Sequence, residues 1–215
     1  IKLLVEARED VVAEATRVRN RLHADLVVLI PGYQVTAKHL VAVRSQQAVR
    51  QRLRGLAGIQ VELARGRLVR LHALDVQART LQGRIAQLVG PHPLLVLPGV
   101  GVLTAAKLIA ETGDVRRFRS ADAFAMLAGV APIPASSGQV QRMRLNRGGN
   151  RQLNRALHTI ALVQAVHHAP AKEYLARKAA EHKSDKDAVR ALKRQIVRTV
   201  FRLLRDGAEG LAMAA

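Results

Sequence analysis

The chain has 215 residues, of which 35 are Lys or Arg and 16 are Asp or Glu, so that its formal net charge is +19. A charge this large favours an anionic partner, with nucleic acid as the leading candidate. The absence of cysteine excludes disulfides, zinc ribbons and thiol chemistry. Because only 2% of the residues are aromatic, few side chains are available for stacking bases.

Membrane association is the competing explanation of the charge. The sequence contains no uninterrupted apolar run of spanning length and no signal-peptide pattern. We therefore expect a cytoplasmic protein without a membrane partner, and a basic membrane-surface protein is the more distant alternative. Because the sequence opens on Ile1 rather than Met, we also expect it to be a fragment.

Residues 1–90 are predicted to form long helices. An apolar stripe with spacings of three and four runs through the first 30 residues, and Pro31 with Gly32 is expected to end that helix. A basic helix is predicted over residues 37–56. A heptad seam follows over residues 61–88, carried by Leu71, Leu74, Ala78, Leu81, Ile85 and Leu88.

These patterns favour an antiparallel helical hairpin or coiled coil, with an ordinary helical bundle left open. We expect Leu74, Leu81 and Leu88 to form a seam that assembles subunits into a homo-oligomer.

The segment Gly90-Pro91-His92-Pro93 is a cluster of helix breakers and predicts a boundary. Beyond it, Leu97-Pro98-Gly99-Val100-Gly101 joins an apolar segment to an amphipathic helix, an order typical of a helix-hairpin-helix. Two glycines allow a turn to approach another backbone, and the N-terminus of the next helix offers free N–H groups with a partial positive charge. The turn is thus suited to a phosphate, although the same residues could simply end one helix and start the next.

One short helix, an extended arm and three longer helices are predicted for the remainder. Ser120 and Asp122 are expected to cap a helix over residues 121–128, and the alternation in residues 139–145 predicts a short strand or arm. Helices follow over about residues 151–167, 172–182 and 186–204. The last helix carries a basic face opposite its apolar one, formed by Lys193, Arg194, Arg198, Arg202 and Arg205.

The predicted fold is therefore mainly α. It consists of a long helical hairpin or coiled coil in residues 1–90, a helix-hairpin-helix-containing helical domain with a short extended arm in residues 91–208, and a tail in residues 209–215.

A local charge imbalance marks the candidate site. No acidic residue lies between Asp122 and Glu173, whereas the arginines in this interval are Arg142, Arg144, Arg147, Arg151 and Arg155. The loop Ser136-Ser137-Gly138 lies just upstream of them. A serine hydroxyl can attack a phosphodiester when its proton is removed and arginines hold the phosphate, but Ser-Ser-Gly taken alone is more often an ordinary turn. Histidines and carboxylates are scattered over separate elements, so no metal site is predicted.

From about Val96 to Arg155 the chain resembles the C-terminal domain of bacterial insertion sequence 110 type transposases, the DEDD transposases with the IS116/IS110/IS902 domain. The shared order is the Pro-Gly-x-Gly turn, the helix end Ala-Gly-Val-Ala-Pro, the Ser-Gly loop and an Arg-Gly-Gly-Asn turn. That last turn has one glycine more than the Arg-Gly-Asn of the family. Residues 3–33 are similar to the long helix that follows the family's N-terminal RuvC-like domain, so the resemblance covers nearly the whole chain.

The resemblance implies a site-specific DNA recombinase. In the family, acidic residues of the RuvC-like domain bind Mg²⁺, a serine of the C-terminal domain attacks DNA, and an element-encoded guide RNA helps to choose the sites. The four acidic residues have no counterpart here, so we expect this chain to lack the RuvC-like catalytic domain and to bind no cofactor itself, while the full-length transposase needs Mg²⁺.

Carried over to this sequence, the serine corresponds to Ser137, which directly precedes the glycine, with Ser136 as the alternative. The residues expected to contact DNA are Pro98, Gly99, Gly101, Lys107, Arg142, Arg144, Arg147, Asn150, Arg151 and Arg155. The rival function is a non-catalytic helix-hairpin-helix scaffold that binds nucleic acid without chemistry.

Overall fold

The computed structural model describes residues 1–34, 40–134 and 143–213. Most of these residues lie in helices, which confirms the predicted mainly α fold. The chain divides into two compact units, one formed by residues 3–84 and the other by residues 1–2 with those from 85 onward.

The first unit, called the hairpin below, is built by three helices: α1 (Lys2–Leu29), α2 (Val43–Arg54) and most of α3 (Ile59–Val89). As predicted, α1 ends before Pro31, and the backbone N–H of Tyr33 closes the turn by donating to the Ile30 carbonyl at 3.1 Å. The start of α2 lies at Val43 rather than near residue 37, and residues 35–39 lie outside the described part of the chain.

Polar pairs across the hairpin show that α1 and α3 are antiparallel. As the α1 partner moves toward the C-terminus, the α3 partner moves back toward the N-terminus, which only antiparallel helices allow. The pairs are Arg8 with Gln82 at 3.0 Å, Arg19 with Asp75 at 3.2 Å, and Asp25 with Arg67.

The apolar core of the hairpin lies between these helices. Leu22 and Leu26 of α1 and Leu71 of α3 are completely buried in it. One polar side chain is buried with them: Gln46 of α2 donates from Nε2 to the Leu40 carbonyl at 3.0 Å and to Asp75 at 2.7 Å. This amide ties α2 to α3 by hydrogen bonds that are protected from water.

The predicted leucine seam is wrong at Leu74, which is not free to contact another subunit, and it stays a prediction at exposed Leu88. Leu74 is buried in the hairpin's own core, whereas Leu88 is 55% exposed and Val89 is buried in its place. A helix with 3.6 residues per turn returns to the face of Ile85 at position 89, so a strict seven-residue count places the last residue one position early.

The second unit begins with a four-residue 3₁₀ helix at Pro93–Val96, which is followed by the predicted turn. Its α-helices are α4 (Val102–Thr112), α5 (Ala121–Leu127), α6 (Arg151–His167), α7 (Ala169–Ala180) and α8 (Asp185–Met213); a second 3₁₀ helix lies at Val115–Arg117. Ser120 caps α5 as predicted, because its Oγ accepts from the Ala123 N–H at 3.2 Å. The helix-hairpin-helix assignment stays a prediction, since the segment before the turn is this short 3₁₀ helix.

Two differences from the sequence predictions concern the strands and the last helix. The sequence predicts one extended segment over residues 139–145, whereas the structure has a second strand before it: β1 (Pro132–Pro134) pairs antiparallel with β2 (Met143–Leu145). The helix α8 continues to Met213 rather than ending near Leu204. No proline follows residue 204, and alanine, leucine, glutamate and methionine in this stretch are good helix formers, so the helix continues through Gly207 and Gly210.

The core of the second unit contains all three phenylalanines of the chain. Phe124 is completely buried, with Phe118 edge-on at 5.4 Å and Phe201 at 5.8 Å between ring centroids. These rings join the 3₁₀ segment before α5 to α5 and α8. The three phenylalanines are therefore used for packing within this unit.

Within the described ranges, no helix is both long enough and apolar enough to cross a membrane.

Candidate nucleic-acid interface

The Pro98-Gly99 turn packs against α6. Gly99 has a φ of +87°, and a Cβ atom there would lie 3.1 Å from the Ile160 carbonyl oxygen and 3.3 Å from the Val163 Cβ. The Gln164 side chain donates from Nε2 to the Pro98 carbonyl at 2.7 Å. The close backbone approach predicted for this glycine is therefore an approach to α6 of the same chain, and it fixes the start of α4.

The N-terminus of α4 is open. Its N-cap residue, Gly101, is exposed and provides no side-chain hydrogen bond to the first N–H groups of the helix. These groups carry the partial positive charge of the helix end. Further along α4, Lys107 donates from Nζ to the Gln152 side chain at 2.9 Å, which binds α4 to the first turn of α6.

The turn before α6 is fixed by its asparagines. Asn150 caps α6 by accepting from the N–H groups of Gln152 and Leu153 at 2.9 and 3.0 Å, and its own amide donates to Glu111 at 2.7 Å. Asn146 binds the Met126 carbonyl at 3.0 Å. Asn150, predicted to contact DNA, thus has a capping role that the sequence analysis did not identify.

The second glycine of Arg-Gly-Gly-Asn is required by packing. A Cβ at Gly149 would collide with the backbone of Gly129 and would lie 2.9 Å from the Leu127 carbonyl oxygen. A Cβ at Gly148 would meet no atom closer than 3.6 Å. Packing therefore requires a glycine at only one position of the pair, Gly149, because a Cβ at Gly148 would make an ordinary van der Waals contact.

Three predicted arginines are brought together by this turn and by α6. Arg147 lies in the turn, and Arg151 and Arg155 follow at intervals of four residues, so that they share one face of the helix. All three are exposed, and they line a cavity of about 690 Å³, called the arginine cavity below. Its other lining residues are Asn146, Gly149, Asn154 and His158.

The electrostatics of the arginine cavity favour an anion. No described carboxylate lies within ion-pairing distance of Arg147, Arg151 or Arg155. The pKa of His158 is lowered by partial burial and by the nearby charge of Lys193, so this histidine adds little positive charge at neutral pH. Recognition at this cavity therefore depends on the guanidinium groups, whose five N–H donors suit phosphate oxygens.

A buried lysine behind this surface was missed by the sequence analysis, which placed Lys193 on the polar face of the last helix. Lys193 is only 7% exposed, and its Nζ donates to Asn154 Oδ1 at 2.7 Å. The Asn154 amide donates in turn to the carbonyls of Ala128 and Gly129 at 3.0 and 2.9 Å. Burial, followed by the charge of Arg190, lowers the pKa of Lys193 to about 8.

Composition and motifs do not distinguish Lys193 from its neighbours, because its burial depends on where α6 crosses α8. The helical periodicity places it beside the buried residues Ile196, Val197 and Val200, which is the only available indication.

The remaining predicted residues lie elsewhere. Arg144 is exposed on β2 and lines a different cavity, described below. The Pro98-Gly99 turn contacts Ile160, Val163 and Gln164 on the later half of α6, whereas the arginines start at its first turn. At 1.5 Å per residue, Arg151 and Gln164 are about 20 Å apart along the helix axis, so one ligand touching both parts would have to run along α6.

Ser136, Ser137, Gly138 and Arg142 lie outside the described residues, in the segment that connects β1 to β2. Among the residues that are described, no three His, Asp or Glu side chains come together to form a possible metal site.

Comparison with known proteins identifies the family of the region that contains the arginine cavity. Residues 92–176 match the family model described as the transposase IS116/IS110/IS902 family. The chain is 38% identical over 142 residues to the insertion element IS110 uncharacterized 43.6 kDa protein of Streptomyces coelicolor, a match that covers 64% of this chain and 35% of the relative. It is 31% identical over 203 residues to the insertion element IS900 uncharacterized 42 kDa protein of Mycobacterium paratuberculosis, covering 92% of this chain and 48% of that protein.

A more distant relative is the transposase for insertion sequence element IS1328 of Yersinia enterocolitica, which is 26% identical over 169 residues and is matched over 74% of this chain and 48% of its own length. The chain thus spans half or less of the length of these relatives. The family model and the insertion-element relatives together show that this chain belongs to the IS116/IS110/IS902 family of transposases, with the family domain in its C-terminal part.

Proposed function

We propose that this chain is the DNA-binding part of a transposase that moves an insertion sequence, and that it supplies a nucleophilic serine, Ser137, with Ser136 as the alternative. The observation that carries the DNA-binding part is the arginine cavity. It lies within the matched family domain, and the described residues offer its three arginines no carboxylate partner.

In this proposal Arg147, Arg151 and Arg155 bind successive phosphates of DNA. The open N-terminus of α4 at Gly101 is a second, weaker contact, because its unpaired N–H groups attract anions. Pro98, Gly99 and Asn150 support these contacts by fixing α4 and α6, and Lys107 does the same through Gln152. Arg142 stays in the proposal as a DNA contact on the strength of the family resemblance.

Affinity for duplex DNA as a function of salt tests the binding part. Each phosphate contact contributes about 0.9 to the slope of log affinity against log salt concentration. Replacing Arg147, Arg151 and Arg155 by Ala should therefore reduce the slope by about 2.7. The charge-matched control replaces Arg44, Arg50 and Arg54, which are exposed on α2 of the hairpin. An equal reduction in both triple variants would show that only net charge matters.

The serine part rests on the resemblance. Attack by the Ser137 hydroxyl on phosphorus forms a serine–phosphate bond and breaks the bond to a leaving sugar oxygen, and the serine proton has to pass to a base. The described residues hold no acidic cluster that would bind Mg²⁺, so a metal enters the proposal only through the RuvC-like domain of a complete transposase. The chain by itself is then expected to bind DNA without cutting or joining it.

Ser137→Ala tests the serine assignment in a strand-transfer assay with a complete transposase that carries this chain. Transfer should be lost while DNA affinity is unchanged, and Ser136→Ala should remain active. Normal transfer by Ser137→Ala combined with loss in Ser136→Ala would reassign the nucleophile. If neither variant affects transfer, the chain acts as a non-catalytic nucleic-acid scaffold.

Assembly into a homo-oligomer, use of a guide RNA and a cytoplasmic location complete the proposal. Since Leu74 belongs to the hairpin's own core, subunit contacts would have to use the other two seam residues, exposed Leu88 and half-buried Leu81. Sedimentation of Leu81→Asp should then show a smaller particle with unchanged helicity by circular dichroism. An unchanged mass would exclude this residue from a subunit interface.

A further inference from the structure

A second basic cavity lies between the paired strands β1 and β2 and the start of α8. It is called the strand cavity below. Its volume is about 360 Å³. Residues from the end of α5, from both strands and from the loop before α8 meet there with α8 itself. The lining residues are Gly129, Val130, Ala131, Pro132, Arg144, Lys183, Asp187, Arg190, Ala191, Lys193 and Arg194.

The charge of the strand cavity is strongly positive. Its five basic residues face a single carboxylate, that of Asp187, and the basic residues are Arg144, Lys183, Arg190, Lys193 and Arg194. The carboxylate accepts from the Ser184 hydroxyl at 2.7 Å and from Arg190 Nη1 at 2.7 Å. The Ser184 hydrogen bond, followed by that of Arg190, lowers the pKa of Asp187, so it stays ionised and offsets one guanidinium only. An anionic ligand is therefore strongly favoured.

The floor of the strand cavity is apolar, formed by Val130, Ala131, Pro132 and Ala191. A free inorganic anion gains nothing from such a surface, whereas a phosphate ester that carries a sugar can bury apolar atoms against it. The volume is close to the lower limit of small-ligand sites, about 300 Å³. The cavity thus has room for about one nucleotide and excludes a double helix.

A third cavity adjoins both the arginine cavity and the strand cavity. This cavity, of about 450 Å³ along the start of α8, shares Asn154 and His158 with the arginine cavity and Arg190 and Lys193 with the strand cavity. The hydrogen bond from Lys193 to Asn154 lies at this junction. A nucleic-acid strand bound at Arg147, Arg151 and Arg155 could follow these adjoining cavities past Lys193 and Asn154 to the paired strands β1 and β2.

We propose that the strand cavity binds one nucleotide of a single DNA strand, with its phosphate at Arg190 and Arg194 and its sugar against Val130 and Pro132. This inference rests on the proposed DNA-binding function and adds that a strand must leave the duplex beyond the arginine cavity. Lys193 acts as a positioning residue, since its amine is held by Asn154 on the wall that the two cavity systems share.

The charged groups that face Lys193 decide its protonation. Burial lowers the pKa of Lys193, and the charge of Arg190 on the same helix lowers it further. The other charged or titratable residues around the adjoining cavities are Arg144, His158, Lys183, Asp185, Lys186, Asp187 and Arg194. A phosphate in the strand cavity would stabilise the protonated amine. Binding of a strand is therefore expected to raise the affinity of Lys193 for its proton.

Fluorescence anisotropy with the full chain tests the proposal, using a short labelled DNA strand, the same strand as a duplex, and the RNA strand of the same sequence. The variant Arg190→Gln with Arg194→Gln removes two charged donors, each worth about tenfold in affinity. Single-strand DNA binding should fall about 100-fold and its salt slope by about 1.4, while duplex binding changes by less than about threefold. The control, Arg202→Gln with Arg205→Gln, changes two exposed residues of α8 outside the cavity lining and should change neither.

Equal losses for single strand and duplex, or an equal loss in the control, would overturn the proposal. A loss confined to the RNA strand would also overturn it, because the occupant would then be RNA. The proposed DNA-binding function is tested separately, by the effect of the Arg147, Arg151 and Arg155 variant on duplex binding. The two proposals can therefore fail independently. The circular dichroism spectra of both double variants should match that of the unmodified chain, so that a difference in affinity reports binding and not a loss of folding.

Discussion

In the hairpin, Arg19, Arg67 and Arg70 meet carboxylates on the facing helix, whereas in the second unit Arg147, Arg151 and Arg155 meet none among the described residues. The sequence has more basic than acidic residues on both sides of the predicted boundary: 15 against 7 in residues 1–90, and 20 against 9 in residues 91–215. Net charge therefore does not distinguish the two regions. For these six arginines the distinction is whether the fold places a carboxylate opposite the guanidinium group, and the lack of one around Arg147, Arg151 and Arg155 supports the anion-binding surface proposed there.

The two regions also differ in what holds them together. The hairpin relies on a continuous apolar core between α1, α2 and α3. The turn region of the second unit relies on close backbone contacts at Gly129 and Gly149 and on the hydrogen bonds of Asn154. Four predictions test this comparison, ordered by the size of the expected effect.

The largest effect is expected in the hairpin core. Leu71→Ala removes a completely buried side chain and should lower the free energy of unfolding of the hairpin by about 2 to 5 kcal/mol. Val69→Ala is the matched control, because Val69 lies two residues away and is 56% exposed; its effect should stay within about 0.5 kcal/mol. Amide hydrogen exchange of α1 and α3 is the measurement. Equal protection in the two variants would mean that the core does not determine hairpin stability.

A somewhat smaller effect is expected at the turn before α6. Gly149→Ala places a methyl group against backbone atoms of Gly129 and Leu127, and backbone atoms cannot move aside as a side chain can. The free energy of unfolding should therefore fall by about 1 to 3 kcal/mol. Hydrogen exchange of α5 and α6 should increase and that of α1 should not. Gly148→Ala, whose Cβ would meet no atom closer than 3.6 Å, should behave like the unmodified chain. Similar results for the two alanine variants would contradict the packing role of Gly149.

The third prediction concerns pH. The pKa of Lys193 is about 8 in the folded chain and about 10.5 in an ordinary environment, so protonated Lys193 opposes folding. Its contribution to the free energy of unfolding is constant below pH 8 and increases with pH between 8 and 10.5. Stability of the second unit should therefore rise by about 1 kcal/mol from pH 7 to pH 9. Lys193→Met should remove this dependence in pH-series denaturation, while Lys186→Met, at an exposed position, should retain it.

The smallest effect is expected for the ion pairs of the hairpin surface. Arg70 is 66% exposed and its partner Glu14 is 31% exposed, so water and salt weaken their attraction. A double-mutant cycle with Arg70→Gln and Glu14→Gln should give a coupling energy below about 1 kcal/mol. A larger coupling would mean that the pairs stabilise the hairpin as well as neutralise its arginines.

The sequence determined the helices of this protein. Periodicity located α1, α3, α5 and α6 to within a few residues, because each has an apolar stripe of helical spacing and a recognisable terminator or cap, such as Pro31 after α1 and Ser120 before α5. It also identified the interval without acidic residues and, through the order of its motifs, the transposase family. These features depend on neighbours along the chain, and a sequence displays them directly.

Only the tertiary structure decided how those residues are used. Gly99 approaches α6, Asn150 donates to Glu111, and Lys193 is buried against Asn154, although composition and spacing alone suggest contacts with DNA or solvent for each of them. The partners in such contacts lie far apart along the chain. Lys193 and Asn154 are 39 positions apart, and Gln164 and Pro98, which holds the turn at Gly99, are 66 positions apart. Such pairings are set by how helices pack in three dimensions, and local periodicity contains no record of them.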